Sequence, residues 1–181
     1  MQRDVQVFVI DDDEAVRSSL CWLIESVEHP AKGYASADEF LDELPETQGI
    51  GCIVTDVRMP GMTGIELLEV LAGRGSSLPV VVITAHGDVQ MAVEAMRLGA
   101  LDFLEKPFED KALLEVVERA LDESERRLKT LSADAEVRKR FGAMTQREKE
   151  VIEMLLKGRP NRRVAKDLDI AEKTVEAHRA N

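Results

Sequence analysis

Aromatic side chains are scarce in this 181-residue chain: one Trp, one Tyr and five Phe make up 4% of it. The hydrophobic content of 44% is therefore mostly aliphatic. Aliphatic packing must build the core, with Trp22 and the five Phe as the exceptions. Cysteine is nearly absent. Cys21 and Cys52 sit inside apolar segments without motif spacing. Two buried free thiols are expected there, rather than a disulfide or a metal site. No apolar run approaches the roughly 20 residues of a membrane span. The opening MQRDVQVFVIDDD lacks the basic-then-apolar layout of a signal peptide. These absences point to the cytoplasm. No glycine-rich loop follows the first apolar run, which disfavours a nucleotide-binding fold.

Charge is abundant but uneven. The net of −11 argues at first against nucleic acid. Through Leu121, nine Lys and Arg face 23 Asp and Glu, a net of −14; from Asp122 onward, 15 face 12, a net of +3. An acidic front and a mildly basic tail suggest two modules with different partners.

The front half alternates short apolar runs with helical patterns. Val5–Ile10 is apolar apart from Gln6 and ends in three aspartates. Val16, Leu20, Leu23, Ile24 and Val27 then recur at helical spacing. Lys32–Tyr34 reads as a short strand. Ser36 to Glu39 has the form of a capping box ahead of Phe40, Leu41 and Leu44. Ile50–Asp56 is the next apolar run, again ending in Asp. Thr63 to Glu66 is a second capping box, opening a helix through Leu67, Leu68 and Leu71. Pro79–Thr84 is a third run. Asp88 is placed to cap a helix through Met91, Ala92, Ala95 and Met96, with Gly99 at its stop. Leu101–Glu105 reads as a last strand, and a helix follows Pro107 with Leu113, Leu114, Val116, Val117 and Leu121 turned inward. Five βα units predict a parallel sheet with helices on both faces.

After Leu121 the chain is charged and free of Pro until Pro160. Leu114, Leu121, Leu128 and Ala135 repeat by seven, but Ser124 interrupts the companion positions and Arg138 ends them. A long solvated helix joining two domains is preferred to a dimeric coiled coil, with its break at Gly142. Thr145 to Glu148 is a third capping box. Val151, Ile152, Leu155 and Leu156 form the apolar face behind it. Pro160 opens a short helix holding Val164, Ala165 and Leu168. A turn at Asp169 to Ala171 leads to a third helix with Val175. Two short helices across a tight turn read as a helix-turn-helix.

The polar residues fall at the strand ends. Asp11, Asp12 and Asp13 end the first strand, Asp56 the third, Thr84 the fourth and Lys106 the fifth. Open parallel sheets bind ligands at this carboxyl edge. Crowded carboxylates attract a hard divalent cation, and Mg²⁺ takes one or two of them with water and phosphate oxygens. A carboxylate can also act as nucleophile and form an aspartyl phosphate. A lysine and a metal would neutralise the transferring group, and a threonine hydroxyl could bond it afterwards. No histidine lies in this set. Any one member is commonplace, and Asp13 reads as a helix cap. All of them at successive strand ends make a site.

The segments VIDDDEAVR, VTDVRMPGMTGIELL, VVITAHGD and GALDFLEKPF resemble the receiver domain of bacterial two-component response regulators, from Val5 to about Leu121. The resemblance implies a doubly wound (βα)5 flavodoxin-like α/β fold. It makes Asp56 the phosphoacceptor, served by a partner sensor histidine kinase. Asp12, Asp56 and the Arg58 carbonyl would ligate Mg²⁺, with Asp11 helping through water. Lys106 would pair with the phosphoryl group, next to a cis bond to Pro107. Thr84 and Phe103 would be the switch pair; Phe103 stands where other receivers carry Tyr, so its inward state rests on packing alone. Arg58 and His86 would tune the phosphate lifetime. His29 and His178 read as ordinary, since neither lies in a kinase-like helix pattern.

The stretch MTQREKEVIEMLLKGRPNRRVAKDLDIAEKTVEAHRAN resembles the LuxR-type helix-turn-helix, and the two halves together are similar to the FixJ subfamily of transcriptional regulators. Arg159, Arg162, Arg163, Lys166, Lys173 and Arg179 could neutralise DNA phosphates. The third helix would enter the major groove, with Thr174 beside it and Glu176, Ala177 and Ala180 at groove-facing positions where several relatives carry Lys. The sequence given ends at Asn181 inside that helix, with no C-cap signal and without the family's fourth, dimerising helix. The resulting layout is a receiver over 1–121, a helical linker over 122–143 and a small all-α helix-turn-helix domain, incomplete, over 144–181. The expected function is transcriptional control. Phosphorylation would remodel the fourth-helix and fifth-strand face, which would form a homodimer and free the DNA-binding part. Beyond assisting its own phosphorylation and autodephosphorylation, the chain is not expected to be an enzyme. Two other readings stand beside it. A receiver could act as a docking module without DNA. A phosphoaspartyl hydrolase could use Asp11 and Asp13, but Ala15 stands where Thr or Val is expected, and that class has no Asp nucleophile on its third strand.

Overall fold

The computed structural model describes residues 5–44, 49–84 and 89–180. Five strands form one sheet: β1 Val5–Ile10, β2 Ala31–Tyr34, β3 Ile50–Asp56, β4 Val80–Thr84 and β5 Asp102–Glu105. Every pairing is parallel, in the order β2-β1-β3-β4-β5. A parallel sheet covered on both faces needs apolar residues on both, and β4, Val-Val-Val-Ile-Thr, is buried at every position. Successive side chains alternate between faces. Ile10, Ile53, Val80 and Val82 join Phe40, Leu67, Leu71 and Ala95 on one side; Val7, Val9, Val54, Val81 and Ile83 join Leu20, Ile24, Leu113 and Val117 on the other. The helices therefore divide. On the first side lie α2 (Ala37–Glu43), α3 (Gly64–Gly73) and α4 (Val89–Arg97); on the second lie α1 (Glu14–Glu25) and the first part of α5 (Asp110–Ala143). Each fully buried side chain of this size contributes roughly 1.5–3 kcal/mol.

Local chemistry sets the helix starts. Asp13 accepts hydrogen bonds from the Ala15 and Val16 N–H groups and caps α1. Thr63 forms the full reciprocal box with Glu66 at α3. At α2 the expected box is made only in part. Ser36 Oγ accepts the Glu39 N–H, but the Glu39 carboxylate takes the N–H of Ala35 instead of that of Ser36. The cap expected from Asp88 lies outside the described residues. The strands begin one residue from expectation at three places, at Ala31, Val80 and Asp102. The Pro79 carbonyl is nevertheless used, accepting the Ile53 N–H at 2.9 Å.

Three expectations about burial are corrected. Trp22 is not in the core: it is 72% exposed on α1, and Val27 just beyond α1 is also exposed. The aromatic contribution comes instead from Phe8, Tyr34 and Phe40, whose ring centroids lie 5.3–6.3 Å apart. Leu156 is 83% exposed rather than inward. The helix after Pro107 and the expected linker are one helix, α5, and Gly142 stays inside its last turn.

The chain divides into two compact units, Met1–Thr130 and Leu131–Asn181. In the second, α6 (Gln146–Leu156), α7 (Asn161–Asp167) and α8 (Glu172–Ala180) close around Val151, Val164, Ala165, Leu168 and Val175. Thr145 and Glu148 form the capping box of α6. The turn between α7 and α8 bends at Asp169, whose φ of 52° is left-handed, a conformation that Asp tolerates. Arg147 donates from α6 to the Leu168 carbonyl and ties that turn down.

Candidate functional site

The carboxyl ends of the strands bring Asp11, Asp56 and Lys106 together. Asp11 follows β1 directly, and its N–H donates to the Tyr34 carbonyl at 3.2 Å, so the chain stays in register past the strand. Asp56 is the last residue of β3. Lys106 follows β5; its N–H donates to the Thr84 carbonyl at 2.7 Å, and its bond to Pro107 is cis. The Lys106 ammonium reaches into the edge and donates to Asp11 Oδ2 at 2.9 Å and to Asp56 Oδ1 at 2.8 Å. Both carboxylates are buried, at 3% and 9% exposure.

Each remaining carboxylate oxygen is held by main chain. Asp11 Oδ1 accepts the Asp13 N–H at 3.0 Å, and Asp56 Oδ2 accepts the Arg58 N–H at 2.7 Å. Burial pulls the Lys106 ammonium toward deprotonation. The bonds and charges of Asp56 and Asp11 together outweigh that, and its pKa is raised. The lysine is thus a fixed cation at any physiological pH.

Asp12 is exposed, and no described residue bonds its carboxylate. Arg58 is exposed beside Asp56, and Thr84 is buried at the end of β4. Phe103 pairs with Val82 across β4 and β5 and is half-buried against the α2–α3–α4 side of the core. His86 lies outside the described residues. His29 is away from this edge, bonded through Nε2 to Glu118 at 2.6 Å.

Asp11, Asp12 and Asp56 set against Lys106 leave two formal negative charges in excess. Among the described residues no three His, Cys, Asp or Glu are grouped to cage a metal. An exposed carboxylate at Asp12, the Asp56 carboxylate and a main-chain carbonyl suit Mg²⁺ instead, since it accepts few protein ligands and keeps its water. The donor chemistry fits that ion.

Two supporting residues were not singled out from sequence. Arg17 donates from α1 to the Asp11 carbonyl at 2.7 Å and braces the acidic turn. Its only signal was a cation one and a half turns after the aspartates. Gly64 opens α3 against the Asp56 main chain: a Cβ there would lie 2.3 Å from the Asp56 carbonyl oxygen. Only glycine lets the helix start that close to the site, and its signal was a glycine just inside a capping box.

In the second unit Arg162, Arg163, Lys166, Lys173, Thr174, Glu176 and Ala177 are exposed on α7 and α8. Arg159 is engaged by Asp167. The side chain of Arg179 lies outside the described residues, and His178 faces Glu148 at 3.9 Å.

The profile of the response regulator receiver domain matches residues 7–118, and that of the bacterial regulatory proteins of the luxR family matches residues 143–181. Along all of its length the chain is 49% identical to the transcriptional regulatory protein FixJ of Azorhizobium caulinodans, covering 85% of that protein. The chain belongs to the FixJ family of response regulators. FixJ of Rhizobium meliloti is 43% identical over 98% of this chain and 87% of its own. Among solved structures, the response regulator StyR superposes with a TM-score of 0.84 at 41% identity, covering 98% of this chain and 89% of its own. Full-length FixJ from B. japonicum gives 0.65 at 42% identity, covering 99% and 88%. As a FixJ-type regulator the chain is a transcription-regulating two-component response regulator, and its receiver and DNA-binding domains imply a histidine kinase and DNA as partners. No described helix is long and apolar enough to cross a membrane.

Proposed function

We propose that Asp56 is the phosphoacceptor and that its phosphorylation by a sensor histidine kinase in the cytoplasm controls DNA binding by the α6–α8 unit. The supporting observation is the Lys106 ammonium bridging the Asp11 and Asp56 carboxylates at the strand ends. A bond forms from an Asp56 carboxylate oxygen to phosphorus as the bond from phosphorus to the donor breaks. Lys106 then follows the charge from the carboxylate onto the phosphoryl oxygens. Asp12, Asp56 and the Arg58 carbonyl would hold Mg²⁺, with Asp11 joining through water. When bound, the ion would supply further neutralisation of the phosphoryl group. Arg58 and His86 would set the lifetime of the acyl phosphate. The chain carries no other catalytic role.

Thr84 donates its hydroxyl to a phosphoryl oxygen, and Phe103 packs inward behind it. This selects one of two pre-existing states and remodels the face of α4 and β5. Val93 and Met96, exposed at 45% and 49% on α4, suit a surface that pairs with a second copy. The receiver spans 1–121 and the DNA-binding part 144–181, joined through 122–143. Arg162, Arg163, Lys173 and Arg179 neutralise phosphates, while Thr174, Glu176 and Ala177 lie toward the groove. Sedimentation velocity of the chain with acetyl phosphate and Mg²⁺ tests the switch. The wild type should shift from monomer to dimer, and Asp56→Asn should stay monomeric. A fully phosphorylated chain that remains monomeric would remove the dimer step.

A further inference from the structure

We propose that Glu176 makes this regulator select cytosine at one position of its DNA site. The inference deepens the DNA-binding reading above and rests on it. Val175 is fully buried in the α6–α8 core and fixes which side of α8 faces inward. At about 100° per residue, Lys173, Glu176, Ala177 and Ala180 fall on the opposite half of the helix. Lys173, Glu176 and Ala177 are exposed there.

Some acidic groups of the unit are held by local partners. Glu148 caps α6 and faces His178, Glu150 pairs with Arg147, and Asp167 pairs with Arg159. No described residue pairs with Glu176. It is exposed on the outward face of the helix that a helix-turn-helix lays into the major groove.

A carboxylate carried between two phosphate backbones is repelled and loses hydration. It needs a donor on a base edge, and the major groove offers two, the N4 amine of cytosine and the N6 amine of adenine. The adenine amine sits beside N7, an acceptor that repels the second carboxylate oxygen. An amide side chain satisfies both adenine groups; a carboxylate suits cytosine. Ala177 next to it carries only a methyl group, which does not compete for the same edge and can contact a neighbouring thymine methyl.

Selection from a randomised duplex pool tests this, using the 181-residue chain treated with acetyl phosphate and Mg²⁺. Wild type, Glu176→Gln and Glu176→Ala are sequenced in parallel. The wild type should enrich a site with cytosine at one position. Gln should move that position to adenine, and Ala should lose the preference there by roughly tenfold, with the other positions unchanged. The same base profile in all three proteins would overturn the role of Glu176 while leaving DNA binding intact. No enrichment by the wild type would overturn the DNA-binding reading, and this inference with it.

Discussion

Replacing Ser124 with alanine should destabilise the receiver unit by about 1–2 kcal/mol, although Ser124 touches no site residue. Its side chain is 1% exposed, and its Oγ accepts the N–H of Gly51 at 3.0 Å, pinning α5 to the start of β3. Alanine leaves that buried N–H without an acceptor, which costs about 1–3 kcal/mol. The better helix propensity of alanine returns about 0.5 kcal/mol. Relaxation is limited because Gly51 lies close against β1: a Cβ on it would sit 2.4 Å from the Gln6 carbonyl oxygen. The net loss should lower the melting temperature by on the order of 5 °C. The chain has two compact units, so far-UV circular dichroism alone would mix them. Trp22, the sole tryptophan, lies on α1 and reports the first unit by fluorescence. Ser18→Ala on the exposed part of α1 is the control and should change stability by no more than about 0.5 kcal/mol. A Ser124→Ala protein as stable as the control would refute the reasoning.

The Arg58→Ala variant should change the rate at which the phosphorylated protein loses its phosphoryl group, followed by decay of intact mass; an unchanged rate takes Arg58 out of that role. The buried Cys52 thiol is pushed up to about 12 by desolvation, with the Glu118 charge adding to it. Iodoacetamide at neutral pH should therefore modify the half-buried Cys21 first and reach Cys52 only in denaturant. Equal labelling of both in the folded protein would contradict the burial. Because the folded Cys52 keeps its proton longer than an unfolded thiol, its stabilising share is whole below about pH 8.5. It falls as pH rises toward about 12.

The fold could be read from sequence where one physical effect dominated. Strands β1, β3 and β4 are buried on both faces, so they appear as apolar runs whatever surrounds them. The caps at Asp13, Thr63 and Thr145 are local and declared themselves within four residues. What was illegible depends on distant partners. Ser124 looked like a flaw in a heptad, yet its partner is 73 residues away. Trp22 looked like core by composition, but the aliphatic residues of α1 already fill the space against the sheet. Ile152, Leu155 and Leu156 shared one apolar pattern, and only the packing of α7 and α8 decides that Leu156 stays outside.

The candidate site divides the same way. The convergence of Asp11, Asp56 and Lys106 followed from counting strand ends, because a parallel sheet delivers every carboxyl end to one edge. The main-chain donors to each carboxylate, the brace from Arg17 and the close start of α3 at Gly64 did not follow. They are set by turns whose geometry emerges only when the strands are in register.

The central claim is that Asp56 takes the phosphoryl group. Intact mass after incubation with acetyl phosphate and Mg²⁺, compared between wild type and Asp56→Asn, tests it most directly. One phosphoryl group should be gained by the wild type, should require Mg²⁺ and should be missing from the variant. A gain of the same size in Asp56→Asn, or no gain by the wild type under any condition, would contradict the account.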